Sequence, residues 1–138
     1  MESCFDPRLS EREVGEMTAL GLAHMGDAVF ELLVRSWLCA HGGVRADDLH
    51  RRTVSFVSAG AQAERAERIL PLLTERETAW YKHGRNAHAH HNAPKGASAA
   101  DYAKATGLEC LFGALFLTGE KARAEELFLT MLEDDHGV

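Results

Sequence analysis

The sequence predicts an all-α protein of about seven helices, and three observations carry that expectation. Prolines, which break helices, occur only at positions 7, 71 and 94. No run alternates apolar and polar residues with the β-branched content of a strand. Three start signals have the capping-box form: Ser10 with Glu13, Thr74 with Glu77, and Ser98 with Asp101. In each, a side-chain oxygen can accept a free N–H of the first helical turn.

The elements follow in order. Ser10 opens a short helix over 11–17, and a long one is expected over 19–40, ended by Gly42 and Gly43. The third and fourth, 46–57 and 59–69, are separated at Val57-Ser58, with Ser58 capping the fourth and Pro71 following it. Thr74 opens a helix over 75–83, Ser98 opens one over 98–118, and the last covers 121–133. Between them, residues 84–97 (GRNAHAHHNAPKGA) hold no large apolar side chain. An irregular stretch that long in a small domain is expected to be functional or a mobile surface loop.

Length and composition fit one domain spanning residues 1–138, since 46% hydrophobic residues suffice for a core without staples. No apolar run reaches the ~18 residues of a membrane span. The start, MESCFDPRLSEREVGEM, lacks the apolar centre of a signal peptide. Cys4, Cys39 and Cys110 have no CxxC spacing, which points to reduced thiols in a cytoplasmic protein. Cys39 and Cys110 lie in apolar stretches and are expected in the core. The net charge of -6, taken alone, argues mildly against a nucleic-acid binder, but leaves room for a local basic patch.

Two acids stand out. From Met17 to Cys39 the only carboxylates are Asp27 and Glu31. Leu22, Met25, Val29, Leu32 and Leu33 form one broad apolar face, and Leu20, Phe30, Val34 and Leu38 fall on the other side. A helix apolar nearly all round is expected to be largely buried, where an unpaired charge is expensive. Glu31 has Arg35 one turn on, whereas Asp27 has only His24 within a turn. Gly26 beside it costs helix stability and makes sense if a backbone or ligand comes close. In the second apolar helix, Glu109 is the only acid of YAKATGLECLFGALFLTG, with Gly107 and Gly113 nearby. Two such acids can meet around a hard, oxygen-seeking cation such as Mg2+, or each can pair with an arginine or cap a helix end. The pattern alone does not decide.

The runs that carry these acids resemble a known family. LAHMGDAVFELLVR (22–35) is similar to the signature helix of ribonuclease III nucleases, written around LEFLGDAVLE. YAKATGLECLFGALFLTG (102–119) is similar to the second acidic motif, written around ADxFEALLGALYLD, and the spacing of about eighty residues also fits. DLHRRTVSFVSAGAQA (48–63), GRNA (84–87) and PK (94–95) resemble the mini-III branch, whose catalytic domain stands alone with no separate double-stranded-RNA-binding domain.

The resemblance implies the ribonuclease III endonuclease fold and places Asp27 and Glu109 on the catalytic, metal-holding positions. Two further acids of full-size members fall on Ala23 and Thr106, which cannot ligate as carboxylates, a reduction that also fits the mini-III branch. It implies Mg2+-assisted cleavage of double-stranded RNA, with Mn2+ as a substitute metal. The products would carry 5′-phosphate and 3′-hydroxyl ends. The implied task is maturation of the large-subunit (23S) ribosomal RNA precursor by a homodimer, with a ribosomal protein on the substrate as a further partner.

RNA contacts are expected from Arg85 and Lys95, which match the GRN and PK positions, and from Arg51, Arg52, Lys82 and Lys104. His83, His88, His90 and His91 match no standard zinc spacing. Two readings compete with the nuclease: an inactive RNA-binding relative, kept open by Ala23 and Thr106, and a helical dimerisation domain, favoured only by the acidic charge.

Overall fold

A computed structural model describes residues 3–87 and 98–135, without the side chains of 134 and 135. It contains seven α-helices and, among the described residues, no strand. They are α1 (Glu11–Gly15), α2 (Ala19–Ala40), α3 (Ala46–Val57), α4 (Ala59–Ile69), α5 (Glu75–Asn86), α6 (Ala99–Leu117) and α7 (Lys121–Asp135). One 3-10 turn, Leu70–Leu72, carries Pro71 at the end of α4.

The caps read from the sequence form. Reciprocal capping boxes hold Ser10 to Glu13 and Thr74 to Glu77. Ser58 accepts from the N–H of Ala61, and Ser98 from that of Asp101. Gly42 takes a φ of +96° just past α2, a conformation that favours glycine.

Helix α6 is the centre of the molecule, with α2, α5, α4 and α7 packed around it. From Ala105 to Leu115 every residue except Glu109 is buried. This explains why α6 has no polar face. Phe30 of α2 meets Phe112 of α6 and Phe128 of α7 edge to face, at 5.5 and 5.8 Å.

Three expectations need correction. Helix α5 runs on to Asn86, so Gly84, Arg85 and Asn86 are helical rather than loop. The remainder of the predicted loop, 88–97, lies outside the described residues. Cys39 is exposed, because in the last turn of α2 it is Leu38 that turns to the core, whereas Cys110 is buried as expected. Helix α2 is also less buried than its composition suggests. Leu22, Phe30, Val34 and Leu38 face the core, but Leu20 and Leu32 are exposed and Met25 and Leu33 only partly covered.

One ion pair fastens α5 to α7. Arg123 donates to Glu77 through Nε and Nη2, both at 2.9 Å, and Glu77 is 2% exposed. Arg123 and the capping bonds hold the Glu77 carboxyl below its ordinary range, against desolvation. Desolvation opposes this but is a smaller influence than the bond to Arg123. The pair therefore stabilises the fold at neutral pH, and that contribution is lost as the pH falls through the lowered pKa. No described helix is long and apolar enough to cross a membrane.

Candidate active site

The site is built where α2 crosses α6. A Cβ placed on Gly26 would stand 1.6 Å from the Glu109 carbonyl oxygen, and one on Gly113 would stand 2.2 Å from that of Leu22. The two backbones touch, and only paired glycines permit it. The glycine beside Asp27 thus answers to a neighbouring backbone. The crossing brings Asp27 and Glu109, distant in sequence, into direct interaction.

The two acids differ in setting. Asp27 is exposed, which corrects the expectation of a buried acid, since it sits on the flank of α2 turned away from the core. Glu109 is partly buried. Desolvation first, then repulsion from the Asp27 carboxylate and a hydrogen bond with it, push the Glu109 carboxyl up to about 8. Among the described residues, no lysine, arginine or histidine contributes to holding its charge. The alternative of an arginine partner therefore fails for Glu109, whereas Glu31 has its predicted partner in Arg35 at 2.6 Å.

Such a pair is poorly satisfied alone. An added positive charge would ionise both carboxylates at neutral pH. The donor set is oxygen only, and no cluster of three or more His, Cys, Asp or Glu exists among the described residues. Two carboxylates fit a hard divalent ion that keeps much of its water, rather than zinc.

A third residue was missed from sequence. Gln62 of α4 is buried, and its side-chain amide bears on Glu109, favouring the charged carboxylate. The signal was present: Gln62 shares the inward stripe of α4 with Ala63, Ala66 and Ile69, where a polar side chain needs a reason.

The Ribonuclease III domain family matches residues 20–120, a span that contains both acids, the crossing and all of α3 to α5. The chain belongs to the ribonuclease III family. Membership makes it an endoribonuclease of that class. The chain is 45% identical over 108 residues to a mini-ribonuclease 3 of Symbiobacterium thermophilum, covering 78% of this chain and 82% of that one. Identity to the mini-ribonuclease 3 of Enterococcus faecalis is 42% over 118 residues, 84% and 89% of the two chains. A crystal structure of a Fusobacterium nucleatum protein superposes with a TM-score of 0.79 at 23% identity, covering 89% of this chain and 98% of that one, and supports the fold.

Within this ribonuclease III fold the positions lacking acids are sealed. Ala23 is buried, and Thr106 is buried with its hydroxyl donating to the Tyr102 carbonyl at 3.0 Å. The cations read as RNA contacts separate into two groups. Arg51 pairs with Asp48, Arg52 reaches the same carboxylate at 3.8 Å, and Lys104 pairs with Glu67 at 2.7 Å. Helix α3, which bears Arg51 and Arg52, packs on α2 around Arg35 and Cys39, two turns and more beyond Asp27. Lys82 and Arg85 are exposed on the last turns of α5, and Arg85 lies over the Tyr81 ring at 5.9 Å. Gly84 beside them touches α6 at Thr106, Gly107 and Cys110, the turn that leads into Glu109. Lys95 lies outside the described residues.

Proposed function

We propose that this ribonuclease III family member cuts double-stranded RNA at a metal site held by Asp27 and Glu109. The observation that carries the reading is the Gly26–Gly113 crossing, which sets two carboxylates together, with no basic residue among the described ones acting on Glu109. Mg2+ is the proposed ion and Mn2+ its substitute. When bound, such an ion supplies an activated water, charge compensation at the phosphate and support for the leaving oxygen. The chain's own residues then do three things. Asp27 and Glu109 would hold the ion, Glu109 would do so as the ionised carboxylate, and Lys82, Arg85 and Lys95 would meet backbone phosphates. Arg51, Arg52 and Lys104 must first exchange their carboxylate partners for phosphates, which makes them weaker contacts.

The family resemblance supports the finer assignment: a single catalytic domain acting in the cytoplasm on the precursor of 23S ribosomal RNA. It also supports 5′-phosphate and 3′-hydroxyl products, and a ribosomal protein on the substrate as a further partner.

The expected test result is that wild type cleaves a double-stranded RNA with Mg2+ while Asp27→Asn is slower by about a thousandfold. Equal rates would remove Asp27 from the site. Binding without cleavage by wild type would instead favour the inactive RNA-binding reading.

A homodimer is the proposed assembly. Phe5, Val29, Leu32, Leu33 and Phe116, together with the polar Ser36, Lys121 and Glu125, line a mainly apolar groove of about 450 Å³ beside α2. Leu32 is 52% exposed there and Phe5 73%. A second copy covering this face would account for a helix apolar on both sides. Leu32→Glu is then expected to sediment as a monomer where wild type is a dimer, and identical sedimentation of the two would place the interface elsewhere.

A further inference from the structure

Gln62 is 2% exposed, and its Nε2 has no hydrogen-bond partner. A buried amide donor left without a partner costs about 1–3 kcal/mol. Protein interiors rarely keep one without a use for it. Its neighbours on the inward stripe of α4, Ala63 and Ala66, show that a small apolar side chain suits the same layer. Helix α4 packs directly on α6, and the Gln62 side chain lies close enough to the Glu109 carboxyl to act on it.

The three side chains form a gradient of burial. Asp27 is exposed, Glu109 partly covered and Gln62 buried. Glu109 thus interacts both with an exposed carboxylate and with a buried amide. An amide N–H can donate to an ionised carboxylate, the form that a cation requires. In the metal-free protein that donor has no hydrogen-bond partner.

We propose that Gln62 is a positioning residue, donating its Nε2–H to ionised Glu109 and turning that carboxylate toward the cation it shares with Asp27. The role depends on neither Ala23 nor Thr106 and gives the pared-down pair a fixed third point. Fixing one carboxylate rotamer matters most where only two carboxylates hold the ion. The inference rests on the reading that Asp27 and Glu109 hold a divalent cation.

The test is Gln62→Met, which keeps the length of the side chain and removes the amide. Mn2+ affinity is read by electron paramagnetic resonance without RNA, alongside cleavage kinetics and the melting temperature. The expected result is a Kd for Mn2+ raised about tenfold and a kcat lowered by a similar factor. The KM for RNA should stay within about twofold, and the melting temperature should be unchanged or higher, because an unpaired buried donor has been removed. A lower melting temperature with unchanged Mn2+ affinity and kcat would make Gln62 structural only. Wild type that binds no Mn2+ would strike the metal reading itself, whereas equal affinity in wild type and variant would strike only the role of Gln62. Should Gln62→Met fail to fold, the wild-type Gln62 side-chain amide can be followed by 15N NMR during a Mg2+ titration. A resonance that moves as the site fills supports the proposal, and one that stays still overturns it.

Discussion

Glu109→Gln is expected to abolish cleavage while making the metal-free protein more stable at pH 8.5. The two effects have one cause. Folding places the Glu109 carboxyl among apolar residues and beside Asp27, which raises it to about 8. In the unfolded chain it titrates near the ordinary value of a glutamic acid. Between those values the folded state holds a proton that the unfolded state has released. Stability from this group therefore falls as the pH rises from about 4.5 toward 8, and the full penalty is present above that range. Glutamine copies the neutral acid and escapes the penalty. Allowing for the solvent that reaches Glu109, the gain is on the order of 2 kcal/mol, or about 5 °C in melting temperature. Near pH 4.5 the two proteins should melt together. Mg2+ should raise the melting temperature of wild type at pH 8.5 but not that of the variant. Cleavage should fall by about a thousandfold or more. Calorimetry at the two pH values checks the account, and a variant less stable than wild type at both would refute it.

Gly26→Ala carries the largest expected loss of stability. On helix propensity alone, alanine in the middle of α2 should stabilise by about 1 kcal/mol. The structure reverses the sign. The new Cβ would meet the Glu109 carbonyl oxygen at 1.6 Å and its carbon at 2.4 Å, both backbone atoms that no rotamer change can move. Helices α2 and α6 would have to separate along the most extensive contact in the fold. Such overpacking costs about 3 kcal/mol or more, a large part of the stability of a domain this size. Gly60→Ala serves as the control, because its Cβ would meet only Asp101 Oδ2 at 3.8 Å. A Gly26→Ala protein that melts at or above the wild-type temperature would show that the crossing is looser than described.

The helices were legible in the sequence because their signals are local. A cap needs a serine or threonine three residues from a glutamate, and Ser10–Glu13 and Thr74–Glu77 meet that condition within one turn. Asp27 and Glu109 stood out because each lies on an apolar helix, but the motif resemblance, not the periodicity, gave them a role. What the sequence hid depends on neighbours distant along the chain. The exposure of Asp27 follows from which flank of α2 meets α6, and Gly113 decides that from the far side of the contact. Gln62 was passed over because its meaning lies on α6, not α4. Arg51, Arg52 and Lys104 read as a basic surface, but Asp48 and Glu67 engage them in the folded chain. The helical continuation through Gly84 also escaped the sequence. The close approach of Gly84 to Gly107 fixes that turn, and a run poor in apolar side chains gives no local sign of it.

The central claim is that Asp27 and Glu109 form one cation site, and anomalous scattering from crystals soaked in Mn2+ tests it most directly. The account predicts a peak within coordination distance of both carboxylates, lost in crystals of Glu109→Gln. A peak elsewhere on the chain, or none at saturating Mn2+, would contradict it.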